Sequence, residues 1–459
     1  MNVPNQSHNS SLKSRVFQAS SYTMFGYGFS QLMRLGSNLI LTRLLVPEMF
    51  GVMTIVSVIT IGLSLFSDFG LLQNIVNSKR GEETQFLNTA WTLQILRGLI
   101  LFILMLFVGG AFKLAGTYGI FPEGSAYADP IIPEVIAVLS LTVLIPGFNS
   151  TKLLVATRKL YLGKVILIDV VSQALGIVVM IVWAYLNPTI WALVYGGIIA
   201  SLTKTVLSHI SIPGEINKIF WDRFAVHEIF HFGKWIFLSS ILGFLINQGD
   251  KLLLGALVSA SVLGIYSIAL YLATAVKMIL EQVFSAVFYP ALSEIARERV
   301  QDLSTTYYKL RIRVDAISFF SAGFIFSAGN FIVNTLYDDR YSGAGQMISI
   351  LSFSILTLGP IILADQCLLA IGKAKAITYM NVALVLALYI GIPMSFTHYG
   401  MTGALWVIAL YPLSKLFISL YLMNNNQLLR IKNELLMSPL YLLGFLVGIG
   451  VESIFTNFS

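Results

Sequence analysis

Charge is what this sequence has least of. Charged residues make up 11% of the 459 while apolar ones make up 56%; an average soluble domain carries roughly 25% charge. That balance excludes the chain of soluble domains that such a length would otherwise suggest. Cysteine is nearly absent: Cys367 stands alone, which excludes an internal disulfide. There is no P-loop, so the chain is not itself an ATPase, and the alternating pattern of a membrane β-barrel is missing. Residues 1–18 are polar, carry Lys13 and Arg15 and hold no apolar core, so they do not read as a cleavable signal peptide.

What is present is a series of long apolar runs. Each is about 18 residues or more, enough to cross a hydrocarbon core of roughly 30 Å. The expected spans are Ser20–Leu44, Phe50–Val76, Phe86–Phe112, Val135–Val155, Val165–Leu186 and Ile190–Ile210 in the first half. The second half gives Lys234–Leu257, Leu263–Leu292, Val314–Leu336, Met347–Ile371, Ile377–Phe396 and Gly403–Met423, then a thirteenth run, Pro439–Phe455. The fold class is therefore an all-α polytopic membrane protein.

The halves repeat. With an offset of 213, Arg34–Asp68 lies on Asn247–Glu281 without a gap. Gly36 meets Gly249, Leu44 meets Leu257, Gly51 meets Gly264, and acidic Asp68 meets acidic Glu281. Pro146 lies on Pro360 at 214, and Lys204 on Lys415 at 211. Self-similarity of this kind indicates duplication. The expected organisation is a six-helix lobe at 1–212, an amphipathic linker at 213–233, a second six-helix lobe at 234–425 and the additional span at 426–459. Six spans per repeat is an even number, so both repeats enter from one side, related by an axis along the membrane normal.

The short loops set orientation. One side collects Lys13, Arg15, Lys79, Arg80, Lys152, Arg158, Lys159, Lys164, Lys218, Arg223, Lys234, Arg297, Arg299, Lys309, Arg311, Arg313, Lys373, Lys375, Arg430 and Lys432. The other has Arg43, Lys113 and Arg340. By the positive-inside rule the first side, with the N-terminus, is cytoplasmic. The net charge of +7 reflects that topology and does not point to nucleic acid.

Charges inside the spans are the next signal: Arg34, Asp68, Arg97, Asp169, Lys204, Asp250, Lys251, Lys277, Glu281, Asp365 and Lys415. At roughly 3 kcal/mol each, facing them all to lipid would cost on the order of 30 kcal/mol. They must line a wet cavity, pair, or snorkel. Arg34 and Arg97 sit too deep to snorkel, and Gln31 and Asn38 share a helix face with Arg34. Lys277 and Glu281, four apart, fit either mutual neutralisation or function. Lys204, Lys251 and Lys415 fit either a cavity or a helix end from which they snorkel. For Asp68 and Glu281, capping and ion coupling are both open.

Two short motifs carry little. His227-Glu228-Ile229-Phe230-His231 fits H-E-x-x-H, but a zinc site needs a third ligand, and position 237, where the extended motif places one, is Phe. With Ile216, Phe220, Phe224 and Phe230 near helical spacing, the segment reads better as an interfacial amphipathic helix. Asp68-Phe69-Gly70 spells a kinase motif with no kinase domain around it. No metal or cofactor is called for.

Several stretches do resemble a known family. Leu41-Thr42-Arg43-Leu44-Leu45-Val46-Pro47-Glu48-Met49-Phe50-Gly51 is similar to the first-loop signature of the polysaccharide transporter family. So are Asp68-Phe69-Gly70-Leu71, Phe232-Gly233-Lys234-Trp235 and Asn247-Gln248-Gly249-Asp250-Lys251. These are the Wzx-type flippases of the multidrug/oligosaccharidyl-lipid/polysaccharide (MOP) superfamily, and the resemblance covers nearly the whole chain. The thirteenth span departs from a plain twelve-helix core.

The resemblance implies a carrier, not an enzyme. It would move an undecaprenyl-pyrophosphate-linked oligosaccharide, such as an O-antigen, capsule or exopolysaccharide unit, from the cytoplasmic to the periplasmic leaflet of a bacterial inner membrane by alternating access. A diphosphate needs cations, and arginine grips phosphate in two places. Arg34 and Arg97, with Lys251 and Lys415 in support, are the expected substrate contacts. Asp68, Asp169, Asp250, Glu281 and Asp365 are the candidates for proton or sodium coupling. Membrane lipids and polysaccharide polymerase or chain-length proteins are the expected partners. The rivals are a multidrug/cation antiporter and a peptidoglycan-precursor flippase of the same superfamily, and a membrane glycosyltransferase or polymerase. A polymerase would place its chemistry on a large outer loop, and the longest here, Lys113–Glu134, offers Glu123, Asp129 and Glu134 but beyond Lys113 no basic or His partner.

Overall fold

A computed structural model describes residues 12–68 and 70–456. It includes their side chains except at 12–20, 232–236, 238, 276, 279–287, 289–291, 300, 432, 455 and 456. All regular structure among the described residues is helical, as expected where lipid leaves backbone groups no other partner. Seven helical segments there are long and apolar enough to cross a membrane, or eight if one bent pair counts as a span. Ala260–Ala275 and Pro439–Ile454 are apolar but shorter. The chain is a multi-pass membrane protein.

The chain divides into two compact units. The first comprises Met1–Glu123 and Ala128–Ile241. It holds α1 (Leu12–Leu44), α2 (Pro47–Phe66), α3 (Leu71–Asn77), α4 (Thr84–Thr117), α5 (Ile132–Leu139), α6 (Leu141–Leu144), α7 (Lys152–Arg158), α8 (Leu162–Leu186), α9 (Trp191–Ile210) and the first half of α10 (Arg223–Leu257). The second unit, Gly124–Tyr127 with Leu242–Ser459, holds the rest of α10 and α11 (Ala260–Glu298), α12 (Leu303–Leu336), α13 (Gly343–Leu351), α14 (Phe353–Leu356), α15 (Leu358–Ala370), α16 (Ala374–Leu410), α17 (Pro412–Asn425), α18 (Ile431–Glu434) and α19 (Pro439–Thr456). The division falls inside α10 and not at an independent linker.

Several spans expected to be continuous are broken. The second span splits at Ser67–Gly70, where the Asp68 Oδ1 accepts the Gly70 N–H at 2.9 Å. Gly70 has φ +62°, a left-handed conformation that costs glycine little. The fourth span becomes α5, α6, a 3-10 turn at Ile145–Phe148 and α7, with a bend of 61°; Pro146 in that turn has no N–H to continue a helix. The eleventh span and the start of the twelfth run together in α16, kinked at Gly400 (φ +58°), and the rest of the twelfth forms α17.

The linker also differs from expectation. Residues 213–222 contain no helix, because side chains of the distant helix α4 take up its backbone. Asn88, Thr92 and Thr89 accept the N–H groups of Lys218, Phe220 and Asp222 at 3.0, 3.0 and 3.1 Å. Helix α10 then begins at Arg223, with Ala225 and Ile229 buried against Leu71, Ile75, Phe86, Ala90 and Leu93.

Ion pairs hold the loop before α4 in place. Arg80 binds Asp222 at 2.9 Å, and Lys159 binds Glu82 at 2.8 Å. The hydrogen bonds to Arg80 and Lys159, respectively, hold the Asp222 and Glu82 carboxyls below their ordinary range. Groups with depressed folded pKa values stabilise above the unfolded value, about 4 for a carboxylate, and lose that contribution as pH falls through the folded value. Thermal unfolding of Asp222→Asn/Glu82→Gln should therefore start below wild type at pH 7 and converge with it in strong acid. A gap that persists there would locate the effect elsewhere.

In the second unit α19 packs closely along α12. A Cβ on Gly444 would meet the Phe320 carbonyl oxygen well inside contact distance, and one on Gly448 would meet the Ser327 Oγ. Small residues let helix backbones approach in this way. Gly444→Val is expected to lower stability by about 1–3 kcal/mol, the usual cost of overpacking, measured by thermal unfolding in detergent. Retention of the wild-type midpoint would mean that the helices separate freely.

Candidate functional site

Two cavities with polar side chains in largely apolar walls open among the described residues of the first unit. The larger, about 690 Å³, lies among α1, α8 and α9 and is lined by Ser30, Arg34, Asp169, Ser172, Ser201 and Lys204, among others. The smaller, about 470 Å³, is lined by Asp68, Gln73, Gln94, Arg97, Asn149 and Lys204. Lys204 belongs to both walls.

The two deep arginines occupy different environments. Arg34 is exposed in the larger cavity, and its guanidinium makes no hydrogen bond or ion pair among the described residues. Gln31, on the same face of α1, binds the Tyr27 hydroxyl at 2.8 Å. Arg97 instead donates to the Ser64 carbonyl at 2.7 Å and to the Ser67 Oγ at 3.0 Å. It thereby caps the last turn of α2, whose carbonyls otherwise lack partners. Asp68, the next residue of that break, spends one oxygen on its own turn.

The remaining candidates are partly neutralised by one another. Lys204 binds Asp169 at 2.6 Å, both about two-fifths exposed in the cavity. In the second unit Lys415 is buried and donates to Asp365 at 2.7 Å and to Asn381 at 2.9 Å, so neither it nor Asp365 is a free charge. Lys251 donates to Gln248 at 2.9 Å. Asp250 is buried, accepts from the Tyr266 hydroxyl and leaves its Oδ1 without a partner among the described residues. The Glu281 side chain lies outside the described residues.

One charged cluster escaped the sequence reading. Arg311, expected in a basic loop, is buried in α12 at 2% exposure. It binds Asp315 at 3.0 Å and Glu434 at 2.5 Å, and its guanidinium lies 5.9 and 5.8 Å from the rings of Tyr307 and Tyr308. The four-residue spacing of Arg311 and Asp315 is the signal that could have revealed the first pair. Glu228 of the H-E-x-x-H stretch accepts from the Ser78 Oγ at 2.6 Å, which ties α10 to the loop after α3.

Comparison with known proteins gives this geometry a context. A family model described as polysaccharide biosynthesis protein matches residues 40–346. The chain is 23% identical over 318 residues to the lipopolysaccharide biosynthesis protein WzxC of Escherichia coli (strain K12). The match covers 68% of this chain and 61% of that relative, so it spans less than two thirds of the relative's length. Among solved structures, the lipid II flippase MurJ in an inward closed conformation superposes with a TM-score of 0.65 at 14% identity, covering 95% of this chain and 97% of MurJ. An inward-facing multidrug resistance MATE family transporter of the MOP superfamily gives 0.64 at 16%, covering 87% and 95%. At these identities the shared feature is the fold.

Proposed function

The chain belongs to the polysaccharide biosynthesis protein family, and from that premise we propose that it is a Wzx-type flippase. Its cargo is an oligosaccharide carried on a polyprenyl diphosphate, moved from the cytoplasmic to the periplasmic leaflet of a bacterial inner membrane, with the N-terminus cytoplasmic. A diphosphate head group cannot cross hydrocarbon unaided, whereas the polyprenyl tail can remain in lipid. The observation that carries this reading is Arg34, a permanent cation facing a cavity of about 690 Å³, its guanidinium with no protein partner among the described residues. Lys204, in the same wall, adds a second cation against the single carboxylate of Asp169. That balance suits an anionic cargo better than the cationic cargo of a multidrug antiporter.

Roles divide accordingly. Arg34 contacts the anionic head group, and Arg97 shapes the neighbouring cavity by holding the α2 break. Lys251 and Lys415 stand further from that role, each engaged by its own unit. Proton or sodium coupling falls first to Asp250, whose buried carboxylate keeps one oxygen without a partner among the described residues. Asp68, Asp169, Asp365 and Glu281 are the other carboxylates proposed for it. Polymerase and chain-length proteins would act on the delivered unit. The test is leaflet-to-leaflet transfer of a lipid-linked oligosaccharide in proteoliposomes, with and without a proton or sodium gradient. Gradient-driven transfer supports both parts, gradient-independent transfer retains the flippase and removes the coupling carboxylates, and no transfer by folded, inserted protein rejects the reading.

A further inference from the structure

The two halves carry the same lysine in different electrostatic settings. Lys204 corresponds to Lys415 at an offset of 211, and Asp169 corresponds to Asn381 at 212. Each lysine reaches that corresponding position of the preceding long helix, Asp169 on α8 and Asn381 on α16. In the second unit Asp365 also binds the lysine at 2.7 Å and the lysine side chain is 7% exposed. Removing one partner from a buried pair of that kind leaves an uncompensated charge. In the first unit the lysine has Asp169 as its one partner among the described residues, and the pair faces the cavity with side chains 40% and 45% exposed. Exposed ion pairs contribute little to stability, so this one can be opened by a competing anion.

The surroundings of the pair are equipped for such an anion. Ser172 follows Asp169 by three residues on α8, and Ser201 precedes Lys204 by three on α9, so each hydroxyl shares a helix face with one member of the pair. Both serines line the cavity, and neither Oγ has a hydrogen-bond partner among the described residues, although Ser172 is only 3% exposed. Buried hydroxyls ordinarily find one. Arg34 brings a third helix to the same space, and the Gln173 Nε2 donates to the Ser30 carbonyl at 3.0 Å, fixing α8 against α1.

We propose that Asp169 is a built-in counter-ion that holds Lys204 until an oxyanion of the cargo displaces it. Arg34, Lys204 and the Ser172 and Ser201 hydroxyls then form the receiving site. This rests on the flippase reading and deepens it: the group recognised is an oxyanion, and Asp169 sets how tightly it is held and how readily it leaves. The chemistry is shared by a lipid diphosphate and by a uronic acid in the sugar.

The experiment measures binding of undecaprenyl diphosphate, inorganic pyrophosphate and a glucuronate disaccharide to the full chain in nanodiscs, using wild type, Arg34→Ala, Asp169→Asn, Lys204→Met and Asp169→Asn/Lys204→Met. Asp169→Asn should tighten binding of the recognised probe about tenfold. Lys204→Met should weaken it about tenfold, and the double variant should match Lys204→Met, because the counter-ion acts only through the lysine. The probe that responds identifies the source of the anion. A pair that serves only structure would behave otherwise: Asp169→Asn would bind no tighter than wild type, or would weaken with Lys204→Met as both lose thermal stability. Either result overturns the proposal. Wild type that binds a diphosphate through Arg34, with Asp169→Asn unchanged, overturns the counter-ion alone, whereas absence of binding in every protein overturns the flippase reading with it.

Discussion

Arg34→Ala protein is expected to insert and fold as wild type does while losing lipid-linked oligosaccharide transfer by about 10- to 100-fold. The figure follows from a hydrogen bond to a charged group, worth about 1.5–3 kcal/mol, at about 1.4 kcal/mol per decade. No stability cost is expected, because the guanidinium has no protein partner to abandon among the described residues. Arg97→Ala should behave differently. It removes the donors bound to Ser64 and Ser67 and should lower thermal stability by about 1–3 kcal/mol, with transfer falling in step with the amount of folded protein. Transfer per folded molecule, set beside the unfolding midpoint, separates the two. If Arg34→Ala transports at the wild-type rate, the cavity arginine is not a cargo contact. If Arg97→Ala is fully stable yet inactive, the capping role assigned to it is wrong.

That contrast was hidden in the sequence, where Arg34 and Arg97 read as equivalent deep cations. Apolar runs announce helices because a bilayer leaves the backbone no other solution. They do not announce what a long side chain will meet. Arg97 finds its partners about thirty residues away in α2, and Lys415 finds Asp365 fifty residues away. The sequence offers Lys415 as a ligand cation and does not announce the Asp365 carboxylate beside it. The breaks were hidden for a related reason. Ser67–Gly70 sits inside an apolar run, and what stops the helix is a side chain turning back on its own backbone. The stretch 213–222 carries apolar residues near helical spacing, yet Asn88, Thr89 and Thr92 of α4 draw off its N–H groups. Helical periodicity loses there to hydrogen bonds from more than a hundred residues away.

Arg311→Leu is expected to be among the most destabilising single substitutions in the chain. The wild-type cluster sets one guanidinium against two carboxylates, Asp315 and Glu434, at 3.0 and 2.5 Å. Even there the Asp315 Oδ1 has no partner among the described residues. Removing the cation leaves both acids with low exposure and no counter-charge, a change that costs about 3–5 kcal/mol. Replacing the three together by Arg311→Leu/Asp315→Leu/Glu434→Leu should restore much of the loss, since a buried cluster exchanged for apolar groups of similar volume is often neutral. The Tyr308 hydroxyl, which donates to Glu434 and accepts the Arg430 N–H, would keep the second of these contacts. The cluster also explains why α19 is integral to the second unit. Glu434 sits just before α19, so its grip on Arg311 delivers α19 to the face of α12 where Gly444 and Gly448 let the two helices close. Unfolding midpoints in detergent, with proteolysis before Pro439 as a second readout, provide the check. A single variant within about 1 kcal/mol of wild type, with no added cleavage between α18 and α19, would show that α19 docks without its buried charges.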